Sequence, residues 1–139
     1  MVRENDICVL ATASDNRPHC SLMAYVAGET GEKLYMATPA DSRKFANLGK
    51  NPAVSLLIDT RARQPREKTR ALTVSGTCAP VSDPAERAAA ADRLRAAHPQ
   101  LERLLDDPGV EVLCVKVESF LLLDGVSDAY FVTVDSSNG

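Results

Sequence analysis

Apolar and polar positions along the chain follow two different periods. Ile7–Ala13 is apolar and rich in β-forming residues, and it ends at Ser14-Asp15-Asn16-Arg17-Pro18, a turn-forming cluster. His19–Ala27 reads as a second strand, and the short link predicts an antiparallel hairpin. Gly28-Glu29-Thr30-Gly31-Glu32 is the next turn and Lys33–Thr38 the third strand, so the three strands are expected to form a meander. The period then changes. Phe45 and Leu48 lie three apart, Asp41 or Ser42 is placed to cap a short helix, and Gly49 is placed to end it. Asn51-Pro52 resets the backbone, and Ala53–Asp59, rich in Val, Leu and Ile, is a fourth strand.

Thr60–Lys68 is polar and basic without a period and reads as a loop. Thr69–Val81 is a fifth strand, alternating through Leu72 and Val74 to Gly76. Asp83-Pro84 opens the main helix, with Asp83 as N-cap, Pro84 in the first turn and Glu86 three residues past the cap. That helix is Ala-rich and runs to about Ala97, where His98-Pro99 interrupts it. Leu101, Leu104 and Leu105 stripe a following short helix that stops near Asp107-Pro108-Gly109. Val110–Val117 is a sixth strand, and Ser119–Leu123 and Tyr130–Val134 are further strand candidates. Strands linked mostly by hairpins, and not interleaved with crossover helices, argue against a doubly wound parallel sheet. They predict a mainly β (α+β) fold: a small antiparallel barrel with a short helix after the third strand and a longer helix before the last strands. No repeat or linker divides residues 1–139, so a single domain is expected.

Composition narrows the classes. Of 139 residues, 45% are hydrophobic and 25% charged, which is ordinary globular usage and excludes a disordered tail, a collagen-like repeat or a coiled coil. The longest apolar runs, Ile7–Ala11 and Phe120–Leu123, fall far short of the ~20 residues that span a bilayer. No basic segment followed by a long apolar stretch opens the chain, so a cytoplasmic protein without a membrane partner is expected. Net charge is −3, with 16 basic and 19 acidic residues, no polybasic arm and 4% aromatics, which argues against a nucleic-acid partner. The four cysteines form no C-x-x-C pair and are expected to be free thiols. Cys8, Cys20 and Cys114 sit in apolar runs and read as small core residues. No paired ligands for zinc are visible.

The segment most informative about chemistry is Thr38–Lys44, TPADSRK, which joins a strand end to a helix start. The first turn of a helix exposes unpaired N–H groups and a partial positive charge, so Asp or Glu is usual there. Arg43 and Lys44 have the unfavourable sign. A bound anion reverses the argument, because backbone N–H groups, the hydroxyls of Thr38 and Ser42 and two cations then converge on one group, as for phosphate. The competing reading is that both side chains bend into water, at a cost under ~1 kcal/mol. In Arg17-Pro18-His19-Cys20-Ser21-Leu22-Met23, strand alternation puts His19 and Ser21 on one face and Cys20 and Leu22 on the other. A histidine at a strand start is ordinarily just partly solvated, and a catalytic role for His19 requires a partner in space. His98, at a helix end, reads as a dipole partner. Residues 61–70 hold five cations and one anion, either a solvated loop or a basic flap over an anionic ligand, with Arg70 best placed. G-x-G-x-x-G, the P-loop, G-x-S-x-G and H-E-x-x-H are all absent.

Three motifs in fixed order, R-P-H-x-S, S-R-K-x-x-N-L and N-P-x-V-S-L, followed by LTVSGTC before a helix, give the chain a resemblance to the flavin-binding split barrels related to pyridoxamine 5′-phosphate oxidase. The resemblance covers roughly residues 7–81. It implies a six-stranded antiparallel split β-barrel that works as a homodimer, with FMN in clefts at the subunit interface. Carried over, it assigns Arg43 and Lys44 to the FMN phosphate, supported by Thr38 and Ser42. It places Ser21, Leu22 and Met23 along the isoalloxazine or ribityl chain, and Arg70, Ala71 and Leu72 beside the ring. Members that form pyridoxal phosphate carry Arg where Ser21 stands, Gln near Ala71, and C-terminal Trp and Arg residues. This chain has no Trp and no such C-terminal pattern, so that activity is not implied. The resemblance implies instead an FMN-dependent oxidoreductase working through flavin N5. The alternatives are a flavin-binding electron-transfer module without a substrate of its own, a deazaflavin in the same cleft, or a haem-binding barrel, since HCSLMAY is similar to haem-utilisation relatives.

Overall fold

The computed structural model describes residues 2, 5–60, 68–125 and 128–134. β1 (Ile7–Ser14) and β2 (Arg17–Ala24) form the first hairpin, paired from Ile7–Ala24 to Ser14–Arg17. Both residues of its two-residue loop have positive φ, Asp15 at 54° and Asn16 at 62°. This pattern matches the right-handed twist of the strands, and Asn and Asp tolerate it. The remaining elements are β3 (Val26–Ala27), β4 (Lys33–Pro39), α1 (Arg43–Lys50), β5 (Ala53–Asp59), β6 (Arg70–Pro80), α2 (Pro84–Ala97), α3 (Glu102–Asp106), β7 (Val110–Asp124) and β8 (Asp128–Thr133). A 3₁₀ turn, Pro99–Leu101, links α2 to α3.

All strands join one antiparallel sheet in the order β2-β1-β5-β6-β7-β4-β3, with β8 added on β7. The two ends of that list are consecutive in the chain: β2 and β3 are separated by Tyr25 alone. The sheet therefore curls into a barrel, and Tyr25 is its seam. Counting β2 and β3 as one bent strand gives six barrel strands, as the resemblance implies, plus β8. The expected meander is replaced by this bend, because only Val26 and Ala27 pair with β4, opposite Tyr35 and Leu34. Tyr25 is buried, its N–H bonds to Asp6 O at 2.9 Å and its hydroxyl donates to Val2 O at 2.6 Å.

Inward positions alternate along the strands as the pleat requires. Cys8 and Leu10 of β1, Leu56 and Ile58 of β5, Leu72 and Val74 of β6 and Leu113 and Val115 of β7 fill the barrel. β4 is buried on both faces. Leu34 and Met36 enter the barrel, while Tyr35 and Ala37 lie under the helices with Ala90 and Leu94 of α2. Burial pushes the Cys8 and Cys78 thiols up to about 12, so both stay protonated and inert. Cys20 corrects the sequence reading: it is exposed, because β2 turns it outward beside Leu22 at the barrel edge.

Two further differences have local causes. Val110–Val117 and Ser119–Leu123 form one 15-residue strand, β7, because Glu118 is accommodated as a bulge. Ser75 pairs with Ser119 and Gly76 with Val117, so Glu118 has no opposite number. Gly49 lies inside α1, which ends one residue later, at Lys50 with Asn51 as C-cap. α2 matches its sequence signals: Asp83 caps it, accepting from Glu86 N at 3.2 Å, Pro84 is its first residue and Ala97 its last. His98 is its C-cap, but the buried ring reaches away from the helix, with Nε2 2.9 Å from Tyr25 O. This bond ties α2 to the barrel seam. His98→Ala leaves a buried carbonyl unpaired and opens a void, at a cost of about 2 kcal/mol. A thermal melt of the variant should fall several degrees below wild type; an unchanged midpoint would remove His98 from the seam. No helix among the described residues is long and apolar enough to cross a membrane.

Candidate functional site

The turn from β4 into α1 is tight. Ala40 N bonds to Gly109 O at 2.9 Å and Ser42 N to Pro39 O at 3.1 Å. Ser42 is then the N-cap of α1, with φ −74° and ψ 155°, and its Oγ accepts from Phe45 N at 3.2 Å. The same Oγ lies 2.9 Å from Oγ1 of Thr38, a residue only 1% exposed. Lys44 Nζ donates to that Thr38 Oγ1 at 3.4 Å. Lys44, Thr38 and Ser42 are thus one connected polar group at the helix N-terminus, with Arg43 exposed beside them. The first turn of α1 holds no acidic residue. Among the described residues neither Arg43 nor Lys44 makes an ion pair; Lys50, at the other end of the helix, pairs with Asp15 at 3.7 Å.

Two like charges are therefore held at the positive end of a helix with no carboxylate paired to either among the described residues, an arrangement that favours an anion. The helix carrying them is fixed to the barrel. Asn47 Nδ2 donates to buried Thr12 Oγ1 on β1 at 3.1 Å, and Leu48 enters the core. Asn47 lies within the S-R-K-x-x-N-L motif, but its clasp on Thr12 is a contact across 35 positions that no local pattern announces.

The other sequence-selected residues form two separate groups. On β2, Ser21 and Met23 face inward opposite Leu10 and Cys8; Met23 is 8% exposed and belongs to the core. Leu22 faces outward and is 73% exposed, opposite Val9. His19 is half-buried on the inner face, opposite Thr12. At the start of β6, Arg70 pairs across the sheet with Asp124, Nε to Oδ2 at 3.9 Å, and its backbone exchanges hydrogen bonds with Thr60. Ala71 is half-buried opposite Asp59 and Leu123, and Leu72 is in the core. Among the described residues, no hydrogen bond or ion pair joins these groups to the Thr38–Lys44 cluster. Residues 61–67, most of the basic loop weighed as a flap, lie outside the described residues.

A separate cleft of about 670 Å³ lies against α2, lined by Lys33, Tyr35, Glu86, Arg93 and Lys116 among others. Tyr35 donates to Glu86 Oε2 at 2.7 Å, and Lys33 Nζ lies 3.4 Å from the same oxygen. The Tyr35 hydroxyl, then Lys33, hold the Glu86 carboxyl below its ordinary range. A depressed carboxyl contributes stability above its unfolded pKa and loses it as pH falls through the folded value. Wild type should therefore lose more thermal stability than Glu86→Gln between pH 6 and pH 3. Parallel pH profiles would deny Glu86 this role.

The first 124 residues match the family model described as pyridoxamine 5′-phosphate oxidase. The chain belongs to that family. No curated protein matches it. Among solved structures, it is similar to a haem-binding protein from Mycobacterium smegmatis, with TM-score 0.82 and 19% identity over 93% of this chain and 53% of the other. The chain thus spans about half the length of that relative. General Stress Protein 26 from Bacillus anthracis gives TM-score 0.72 and 19% identity over 96% and 93% of the two chains. An FAD-binding protein from Mesorhizobium loti gives TM-score 0.72 and 16% identity over 87% of each. The fold of this chain is thus shared by a haem-binding protein and an FAD-binding protein alike.

Proposed function

We propose that this chain binds FMN, with the flavin phosphate at the α1 N-terminus, and acts as an FMN-dependent oxidoreductase in a homodimer that holds the cofactor at the subunit interface. The observation that carries the reading is the Lys44–Thr38–Ser42 group with Arg43 beside it: two cations without an ion pair among the described residues, two hydroxyls and a first helical turn that holds no acid. These residues fit a phosphate monoester. Arg43 supplies a planar donor fork, Lys44 a point charge held in place by Thr38, and the first turn of α1 its unpaired N–H groups. Bound FMN supplies hydride or electron transfer at N5. The chain's own part is to hold the phosphate end and leave the ring to a neighbouring surface; no acid or base of the described residues is assigned to a proton.

The test compares FMN with riboflavin, which lacks the phosphate, by fluorescence titration of purified protein. FMN should bind at least about 100-fold more tightly, the value of two charge-assisted contacts. Equal affinities would refute the phosphate site. The visible spectrum of the protein as purified separates the competing cofactor: a Soret band would transfer the reading to haem. His98 is committed to the Tyr25 carbonyl, which leaves His19 as the imidazole available to iron.

A further inference from the structure

The cleft against α2 is a second place where the fold holds charge that it does not pair. Lys33 on β4 and Lys116 on β7 stand directly opposite one another across the strand pair, and both line the cleft. Like charges in that position are destabilising. One carboxylate reaches them from α2: Glu86 accepts from Tyr35 at 2.7 Å and pairs with Lys33 at 3.4 Å. After the Tyr35 hydroxyl and Lys33, the charge of Lys116 also lowers the Glu86 carboxyl, so Lys116 lies close by. Yet Lys116 makes no ion pair among the described residues, neither with Glu86 nor with Glu32 on the rim. Arg93, on the far wall, is taken by Glu29 at 3.6 Å and by the Ala27 carbonyl at 3.2 Å. The floor is apolar, with Tyr35, Ala90 and Val117 all buried. Between Glu86 and Arg93, α2 presents only Ala89 and Ala90 to the cleft, side chains too short to fill it. The resulting space of about 670 Å³ is of the size that takes a small molecule. It is not the α1 site: at about 3.4 Å per residue, Lys33 lies roughly 17 Å along β4 from Thr38.

We propose that this cleft binds a small organic acid, its single carboxylate on Lys116 beside Lys33 and its apolar body on Ala89, Ala90 and Val117. The inference stands apart from the flavin reading, which concerns the other end of β4. Three features select the class. A single negative charge matches the one cation of the cleft left without a partner among the described residues. A phosphate dianion would meet the Glu86 carboxylate beside the same lysines, with the Arg93 fork already committed to Glu29. The apolar floor favours an acid that carries a hydrocarbon or aromatic body, because only such a body removes apolar surface from water there. A carboxylate between Lys33 and Lys116 also offsets the repulsion that the strand pair otherwise carries.

The test is an NMR titration of the ¹⁵N-labelled chain with benzoate, with acetate and inorganic phosphate as comparison anions. Benzoate should shift the amides of Lys33, Tyr35, Ala90 and Lys116 saturably, with a Kd of about 1–10 mM, and leave those of Ser42–Phe45 unmoved. Acetate, without an apolar body, should bind at least about tenfold more weakly. Lys116→Gln should weaken benzoate about tenfold, whereas Glu86→Gln, which removes the competing carboxylate, should tighten it about threefold. General damage to the fold would not give opposite signs. Lys116→Gln should melt no lower than wild type, since it removes one of two opposed lysines, and should bind FMN as wild type does. Ala89→Leu fills the cleft from an exposed helix position and should abolish the benzoate shifts in a folded protein, a second route to the same answer. Benzoate shifts that do not saturate, or that persist unchanged in Lys116→Gln or Ala89→Leu, overturn the proposal. Phosphate that moves the same amides as strongly as benzoate overturns it too, because the apolar body would then count for nothing.

Discussion

Gly76→Ala should lower the melting temperature by about 10 °C or more, while Gly49→Ala should raise it by about 2 °C. Each glycine lies inside a regular element, Gly76 within β6 and Gly49 in the last turn of α1, and the two differ in what a methyl group would meet. At Gly76 an added Cβ would collide with the Lys116 carbonyl oxygen, and would lie 3.0 Å from the Lys116 carbonyl carbon and 3.2 Å from Val117 Cα. Every one of those atoms is backbone, so no rotamer change relieves the contact. The cause is the Glu118 bulge, which brings the Lys116–Val117 backbone across Gly76 where the register shifts. Gly76 is also flanked on its other side by Val54 of β5, so β6 cannot move away. Separation of strands in the middle of the barrel should cost ~3 kcal/mol or more, a large part of the 5–15 kcal/mol of a typical domain. At this chain length that corresponds to about 10 °C. At Gly49 nothing lies within 4 Å of the added carbon. Alanine there improves helix propensity and restricts the unfolded chain, for about 0.5 kcal/mol. Melts of the two variants beside wild type decide the matter; a Gly76→Ala protein within about 2 °C of wild type would show that the bulge relaxes freely.

The same bulge explains part of what the sequence could and could not disclose. Signals that act within a few residues were readable: Asp83-Pro84 opening α2, Ser42 capping α1, Asp15-Asn16 reversing β1 into β2, and Ala53–Asp59 as a strand. Glu118 was not, because its charge interrupts an apolar run as a turn would, and only the partner strand β6 carries β7 through it. Tyr25 was missed for a related reason. His19–Ala27 is continuous in pattern, and its bend at Tyr25 follows from the curl that brings β4 round to meet β3, a property of the closed sheet. Cys20 shows the limit of an apolar run as evidence: Cys20 and Leu22 are apolar while His19 and Ser21 on the other face are polar, yet it is the apolar pair that β2 turns outward. At the candidate site, Thr38, Ser42, Arg43 and Lys44 stand out because seven consecutive residues contain them all. Asn47 and Thr12 do not, since their bond joins distant positions.

Arg43→Ala/Lys44→Ala should weaken FMN binding about 100- to 1,000-fold while leaving the melting temperature of the ligand-free protein unchanged or slightly higher. The two effects have opposite signs because the same charges act in opposite directions in the two states. Without an anion, two cations stand at the positive end of α1, and removing them relieves a repulsion of a few tenths of a kcal/mol each. Neither makes an ion pair among the described residues, and only Lys44 makes a hydrogen bond, at 3.4 Å to Thr38; the fold therefore loses little. With a phosphate bound, each cation contributes a charge-assisted contact of about 1.5–2 kcal/mol, the lower end for charged groups because both side chains reach water, and two of them correspond to the stated factor. Riboflavin, lacking the phosphate, should bind wild type and variant alike. That comparison separates a phosphate effect from general damage, which would weaken both ligands. Ser42→Ala supplies a control of the other kind. It removes the cap that accepts from Phe45 N and should destabilise the free protein by about 1 kcal/mol, so it should lose stability where the double variant loses only affinity. A double variant that keeps wild-type affinity for FMN would place the phosphate elsewhere and leave Arg43 and Lys44 as cations that simply face water.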